Sequence, residues 1–206
     1  MAAFKNRLLI VLCASILSAC GSSPVSNYYL LNAMGTPNAG AQSPSLGIGP
    51  IEIPEYLNRN RLVYNLEGNL LHVASNERWA EPLTNGVARV IGLNLSSLLN
   101  TENVQGFPWY RSQKPDYGIQ ISVISLNAND TMANLTAEWV VQKPQAEKFL
   151  IRRISTFSQD LPAGTVTPAQ IAPAYSKLLQ QLSELIAATI SADVAASSSH
   201  DQKLEH

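Results

Sequence analysis

The sequence predicts an α+β fold, a two-layer sandwich in which a mostly antiparallel sheet carries two long amphipathic helices on one face. Three observations predict it. Apolar residues recur at three- and four-residue steps in two stretches, near 82–99 and 167–190, the period of a helix with one buried stripe. Shorter stretches elsewhere alternate apolar with polar residues or gather aromatic and branched ones, as strands do. Striped helices and a one-sided sheet bury their apolar surfaces only by stacking on each other.

The elements follow in order. Residues 1–19 carry Lys5 and Arg7, then the apolar run Leu8 to Leu17, the layout of a secretory signal peptide and too short a run for a membrane-spanning helix. Leu17-Ser18-Ala19-Cys20 follows, with small residues before a cysteine whose thiol can be acylated. It resembles the lipobox of bacterial lipoproteins at all four positions, so the expected anchor is a covalent lipid on Cys20. Gly21 and Ser22 stand where an aspartate would resemble an inner-membrane retention signal, and outer-membrane sorting is the expectation. Several buried acyl chains hold far more firmly than one myristoyl group. Residues 20–27 form the lipidated N-terminus and a tether, which reaches roughly 25 Å when extended.

A single domain is expected over 28–192. Tyr28 to Asn32 reads as a first strand, Ala33 to Ser45 as a mobile loop, and Leu46 to Ile53 as a strand that Pro50 pushes toward an edge or a bulge. Leu62 to Asn65 and Asn69 to Ala74 form a hairpin through Glu67-Gly68. Leu83, Val87, Val90, Ile91, Leu95 and Leu98 then lie on one stripe of a helix, with Pro82 suited to its first position. Tyr117 to Leu126, Asn134 to Gln142 and Lys148 to Gln159 form an antiparallel meander. Thr167-Pro168-Ala169-Gln170 fits a capping box opening the second helix, in which Pro173 either kinks the helix or marks where its regular part begins. Residues 193–206 lack an apolar period and are expected to be a disordered tail.

Composition narrows the chemistry. Cys13 leaves with the signal peptide and Cys20 is acylated, so thiol nucleophiles, thiolate metal sites and disulfides drop out. Of fourteen Lys and Arg, two lie in the leader, leaving twelve against fifteen Asp and Glu, and no dense basic patch that would fit nucleic acid. His200 and His206 lie in the tail, so a histidine-based metal site or triad would have to be built around His72 alone, and polar strand positions usually face solvent. The carboxylates are scattered without a paired motif, and no phosphate loop, HExxH or GxSxG is present. No catalytic residue, metal or cofactor is expected beyond the covalent lipid.

Partner-binding candidates are Arg59, Arg61, Trp79 and Tyr110. Large aromatics dominate interface hot spots, which makes Trp79 a possible anchor; the plainer reading packs it under the helix start. Arg59 and Arg61 are either partner contacts or solvated turn charges.

The ordered series of features resembles the PqiC-like family of ABC-transport auxiliary lipoproteins. It comprises the lipobox at Cys20, Asn27-Tyr28-Tyr29-Leu30, Ile51-Glu52-Ile53-Pro54-Glu55-Tyr56-Leu57 leading to Leu62-Val63-Tyr64, then Trp79-Ala80-Glu81-Pro82-Leu83 with its helix, and more faintly Glu138-Trp139 and the last helix. Glu81 departs from the small capping residue expected before Pro82. The resemblance implies a non-catalytic outer-membrane lipoprotein that docks an inner-membrane-rooted MCE-domain protein and supports lipid traffic between the membranes. A homo-oligomer is expected as the means of meeting a multi-subunit tube. The alternatives are an envelope scaffold that binds peptidoglycan and a domain that itself holds a lipid ligand; a hydrolase around His72 is the weakest.

Overall fold

The structure is a computed structural model and describes residues 25–35, 44–162, 164 and 166–204. The expected signal peptide, Cys20 and the first part of the expected tether lie outside the described residues, as does the middle of the 33–45 segment.

The fold is α+β, and its strands divide between two sheets that are mixed rather than mostly antiparallel. Strands β1 (Asn27–Tyr29), β3 (Arg61–Glu67) and β4 (Leu70–Trp79) form a small sheet in the order β1-β4-β3. Strands β2 (Leu46–Glu52), β5 (Val104–Gly106), β6 (Tyr117–Ala128), β7 (Met132–Lys143) and β8 (Lys148–Asp160) form a larger one in the order β5-β2-β6-β7-β8. The meander β6-β7-β8 is antiparallel as expected. The parallel contacts are β1 with β4 and β2 with both β5 and β6. Each joins strands separated by other elements, and such long crossovers leave either direction open.

Pro50 sits where its missing N–H costs little. Pairing of β2 with β5 ends at Ile48–Gly106, and its register with β6 shifts between Ile48 and Ile51. The hairpin is longer than the sequence indicates, since β4 runs on to Trp79.

Helix α1 (Leu83–Leu99) lies over β2 and β5, helix α2 (Pro168–Leu204) over β6, β7 and β8, and the two helices touch. Val87, Val90, Ile91 and Leu95 of α1 and Ile171, Leu178, Leu182 and Ile186 of α2 are fully buried against Ile119, Leu135 and Trp139 of the sheet. Pro82 is the N-cap of α1 rather than its first residue: at φ −52°, ψ 132° it is still extended, and its carbonyl accepts from Asn85 and Gly86. No side chain caps this end. Glu81 instead folds back to pair with Arg89, leaving its carboxylate near the positive end of the helix dipole.

The capping pair of α2 forms as far as Gln170 is concerned: its Oε1 accepts from the Thr167 N–H at 3.0 Å and from the Thr167 hydroxyl at 3.1 Å. Pro168 takes the first helical position, and Pro173 is accommodated within one continuous helix. The expected disordered tail is corrected here, since the helix continues through Asp193 to Leu204. Asp193 accepts a 2.8 Å hydrogen bond from Tyr117 and pairs with Lys143, tying the late turns of α2 to the sheet.

Candidate functional site

The four proposed partner residues do not form one surface. Trp79 ends β4 with 6 % of its surface exposed, and its ring stacks on Tyr175 of α2 at 6.3 Å between centroids. Its backbone N–H donates to the Asn60 carbonyl at 2.7 Å while the ring meets α2, so Trp79 joins the small sheet to the second helix. This removes it from the docking candidates: an aromatic buried on this scale supplies packing area, not a free face.

Arg59 and Arg61 are exposed on and just after the turn that leads into β3, and Arg61 pairs with Arg78 across the hairpin. That turn is held beside the end of β6, where the Leu126 N–H reaches the Tyr56 hydroxyl at 3.5 Å. Tyr110, 75 % exposed, follows Trp109, whose ring lies against Gly118 at the start of the same strand. Gly118 and Leu126 are about 26 Å apart along a strand rising ~3.3 Å per residue. The arginines and Tyr110 therefore occupy opposite ends of β6. His72 is exposed on β4 beside Tyr64, with ring centroids 4.9 Å apart, and among the described residues no group of three or more His, Cys, Asp or Glu side chains is arranged to hold a metal ion.

Three other features organise the surface. Between α1 and the β2–β5 edge runs an apolar groove of about 440 Å³, walled by Ile48, Ala88, Gly92, Leu93 and Val104, with Arg89 and Glu102 among its lining residues. Its size falls in the range of small-molecule sites. A more polar cleft of about 390 Å³ lies where α2 passes Asp116, Tyr117 and Lys143. Burial pushes Asp193 up, but the hydrogen bonds from Lys143 and Tyr117 outweigh it and hold its carboxyl below the usual range. Burial, then the bond to Asp193, raises Tyr117. The third feature is a seam of buried polar groups between the helices. Asn94 Oδ1 accepts from the Met34 N–H and Ser176 Oγ from the Asn32 N–H, both at 3.0 Å. These bonds hold the segment after β1 on the helix pair. Tyr29 in β1 is pushed up to about 12 by its hydrogen bond to Glu77 and by burial.

Sequence reasoning missed Trp109. It packs onto the facing glycines Gly47 and Gly118, where an added Cβ would lie 2.5 Å and 2.6 Å from its ring. The glycines at 47 and 118 carry a signal only once β2 and β6 are known to be neighbours.

This architecture has relatives. The family described as ABC-type transport auxiliary lipoprotein component matches residues 28–187, which take in nearly all of the two sheets, the whole of α1 and about half of α2. The chain belongs to that family. A chain of the ABC-type transport auxiliary lipoproteins is similar in sequence to the intermembrane transport lipoprotein PqiC of Escherichia coli K12, at 27 % identity over 141 residues that cover 66 % of this chain and 74 % of that one. The PqiC of Shigella flexneri matches to the same extent. A solved protein from Xanthomonas campestris shares the fold with a TM-score of 0.66 at 16 % identity, covering 82 % of this auxiliary lipoprotein and 99 % of that chain. Another, an uncharacterised protein, has a TM-score of 0.65 at 21 % identity and covers 81 % and 99 %. Among the described residues, no helix is long and apolar enough to cross a membrane.

Proposed function

We propose that this chain is a non-catalytic outer-membrane lipoprotein, anchored by lipid on Cys20, that docks an MCE-domain protein rooted in the inner membrane and so supports lipid traffic between the membranes. The observation that carries the reading is the family match across 28–187, joined to similarity with a protein named for intermembrane transport. The anchor and fold fit the task. A domain starting seven residues after its lipid stays close to its leaflet, and a high local concentration lets modest contacts suffice when copies assemble. Assembly into a ring is part of the proposal. It is supported by β8, a 13-residue strand with no partner on its outer side among the described residues and with Phe149 and Ile154 well exposed; long edges of this kind invite pairing.

Photocrosslinking in intact cells from probes at Arg61 and Tyr110 tests the docking. Capture of an MCE-family protein from either end of β6 is the expected result and also tells which end docks. Capture of peptidoglycan alone, with the lipoprotein well expressed, overturns the bridge in favour of an envelope scaffold. The groove between α1 and β5 supports a second reading, a domain that itself holds a lipid chain, and native mass spectrometry of protein extracted from membranes would show the added mass.

A further inference from the structure

We infer that the tip of the β3–β4 hairpin is a membrane-contact surface, which seats Leu70 and Leu71 in the lipid leaflet that carries the anchor. This rests on the acylation of Cys20 proposed above.

The first argument is geometric. Strand β1 runs parallel to β4, with Asn27 opposite Glu77 and Tyr29 opposite Trp79. The chain therefore enters β1 from the side of the small sheet on which the hairpin tip lies. Cys20 precedes Asn27 by seven residues, and Leu70 precedes Glu77 by seven. Seven extended residues reach at most about 25 Å, and seven residues of strand cover about 23 Å. A fully extended tether thus brings the acylated residue level with Leu70. Any slack in the tether draws the tip into the leaflet rather than away from it.

The tip also has suitable chemistry. Leu70 is 67 % exposed and Leu71 40 %. Successive strand residues point to opposite faces, so exposure of both means that the tip stands clear of the core on either side. From Gly68 through Asn76 the sequence contains no Asp, Glu, Lys or Arg, and neither does the tether from Cys20 through Ser26. The one formal charge at the tip is Glu67, the register partner of Leu70 across the turn, so the leucines seat at the boundary between headgroups and acyl chains, where a carboxylate keeps its water. Leucines in this position contribute nothing to the core of the domain, and a leaflet supplies the burial they lack.

The test uses the acylated, full mature protein. With Cys13 removed and Cys20 acylated, a single introduced cysteine can carry an environment-sensitive fluorophore. Labels placed by Leu70→Cys and Leu71→Cys are compared with labels at Arg61→Cys, Tyr110→Cys and Ile154→Cys, in vesicles of phosphatidylethanolamine and phosphatidylglycerol with and without brominated acyl chains. The expected result is a blue shift with quenching by bromine at 70 and 71, and neither at 61, 110 or 154. Two tip positions guard against one variant folding poorly, and circular dichroism checks each. Aqueous emission at both tip positions, or quenching at 61, 110 or 154 in their place, overturns the inference. The intact mass of the same sample separates the two readings: an acyl mass with an aqueous tip sinks only this inference, whereas its absence sinks the anchor and the inference together.

Discussion

Gly118→Ala should destabilise the domain through one side chain, Trp109. A Cβ at 118 would stand 2.6 Å from Trp109 Cη2, 3.0 Å from Cζ3 and 3.1 Å from Pro144 Cγ. Comfortable carbon contacts lie near 3.5–4.0 Å, so the ring must retreat by about 1 Å. It has little room to slide, because its other edge rests on Gly47 at 2.5 Å from where a Cβ would be, and Phe107 meets it edge-on at 5.6 Å. Overpacking of this kind costs about 1–3 kcal/mol. Gly118 is not in the left-handed region, so the backbone accepts alanine, and the stiffer unfolded chain returns about 0.4–1 kcal/mol. The net loss should be about 1–2 kcal/mol, or a fall of roughly 1 M in the urea midpoint for a protein of this size. Equilibrium urea unfolding of Gly118→Ala, Trp109→Ala and the double variant measures it. In the Trp109→Ala background the alanine should become neutral or stabilising, giving a coupling of at least about 1 kcal/mol. An equal loss in both backgrounds would refute the role given to the indole.

Other expectations follow from the same contacts. Asp193 has its carboxyl lowered, so its ties to Lys143 and Tyr117 stabilise the fold above the ordinary carboxylate range and are lost as pH falls through the lowered value. Protection factors for amide exchange over residues 193–199, taken against the intrinsic rate at each pH, should therefore fall on acidification, and Asp193→Asn should remove that pH dependence. Trp79→Ala should cost about 3–5 kcal/mol in thermal or urea unfolding, because it empties the junction with Tyr175. Asn94→Ala strands the Met34 N–H and should cost about 1–3 kcal/mol, with faster exchange at Met34 as its signature. His72→Ala should change stability by no more than about 0.5 kcal/mol, and a larger loss would show that its contact with Tyr64 matters.

Local patterns carried most of the elements. The stripe from Leu83 to Leu95 gives α1 to within a residue, and the alternation in Ile119, Ile121 and Val123 gives the buried face of β6. What local pattern could not carry was pairing. Strand β5 is three residues long, too short for any period, and is recognisable only by its place beside β2. The split into two sheets and the parallel contacts depend on which distant segments meet. The late turns of α2 failed for a related reason: the Ala and Ser run after Asp193 has no apolar stripe, and its tie to the sheet comes from Tyr117 and Lys143, far away in sequence. Among the candidate site residues, Arg59 and Tyr110 are exposed in irregular segments and Arg61 is exposed at the first position of β3. Their separation to opposite ends of β6 had no local trace. Trp79 belonged to the core, the plainer of the two readings its sequence setting allowed.

The parallel alignment of β1 with β4 has a mechanical consequence. Ladder hydrogen bonds run across the strands. A pull from the tether, directed back along β1 toward the hairpin tip, loads the bonds of Asn27 to Tyr29 together in shear instead of peeling them one at a time. Behind them, the bonds from Asn32 to Ser176 and from Met34 to Asn94 pass any remaining tension into both helices. With the lipid anchor proposed on Cys20, the N-terminal strand would work as a strain relief, spreading force from a moving membrane over the body of the domain before any single contact carries it all.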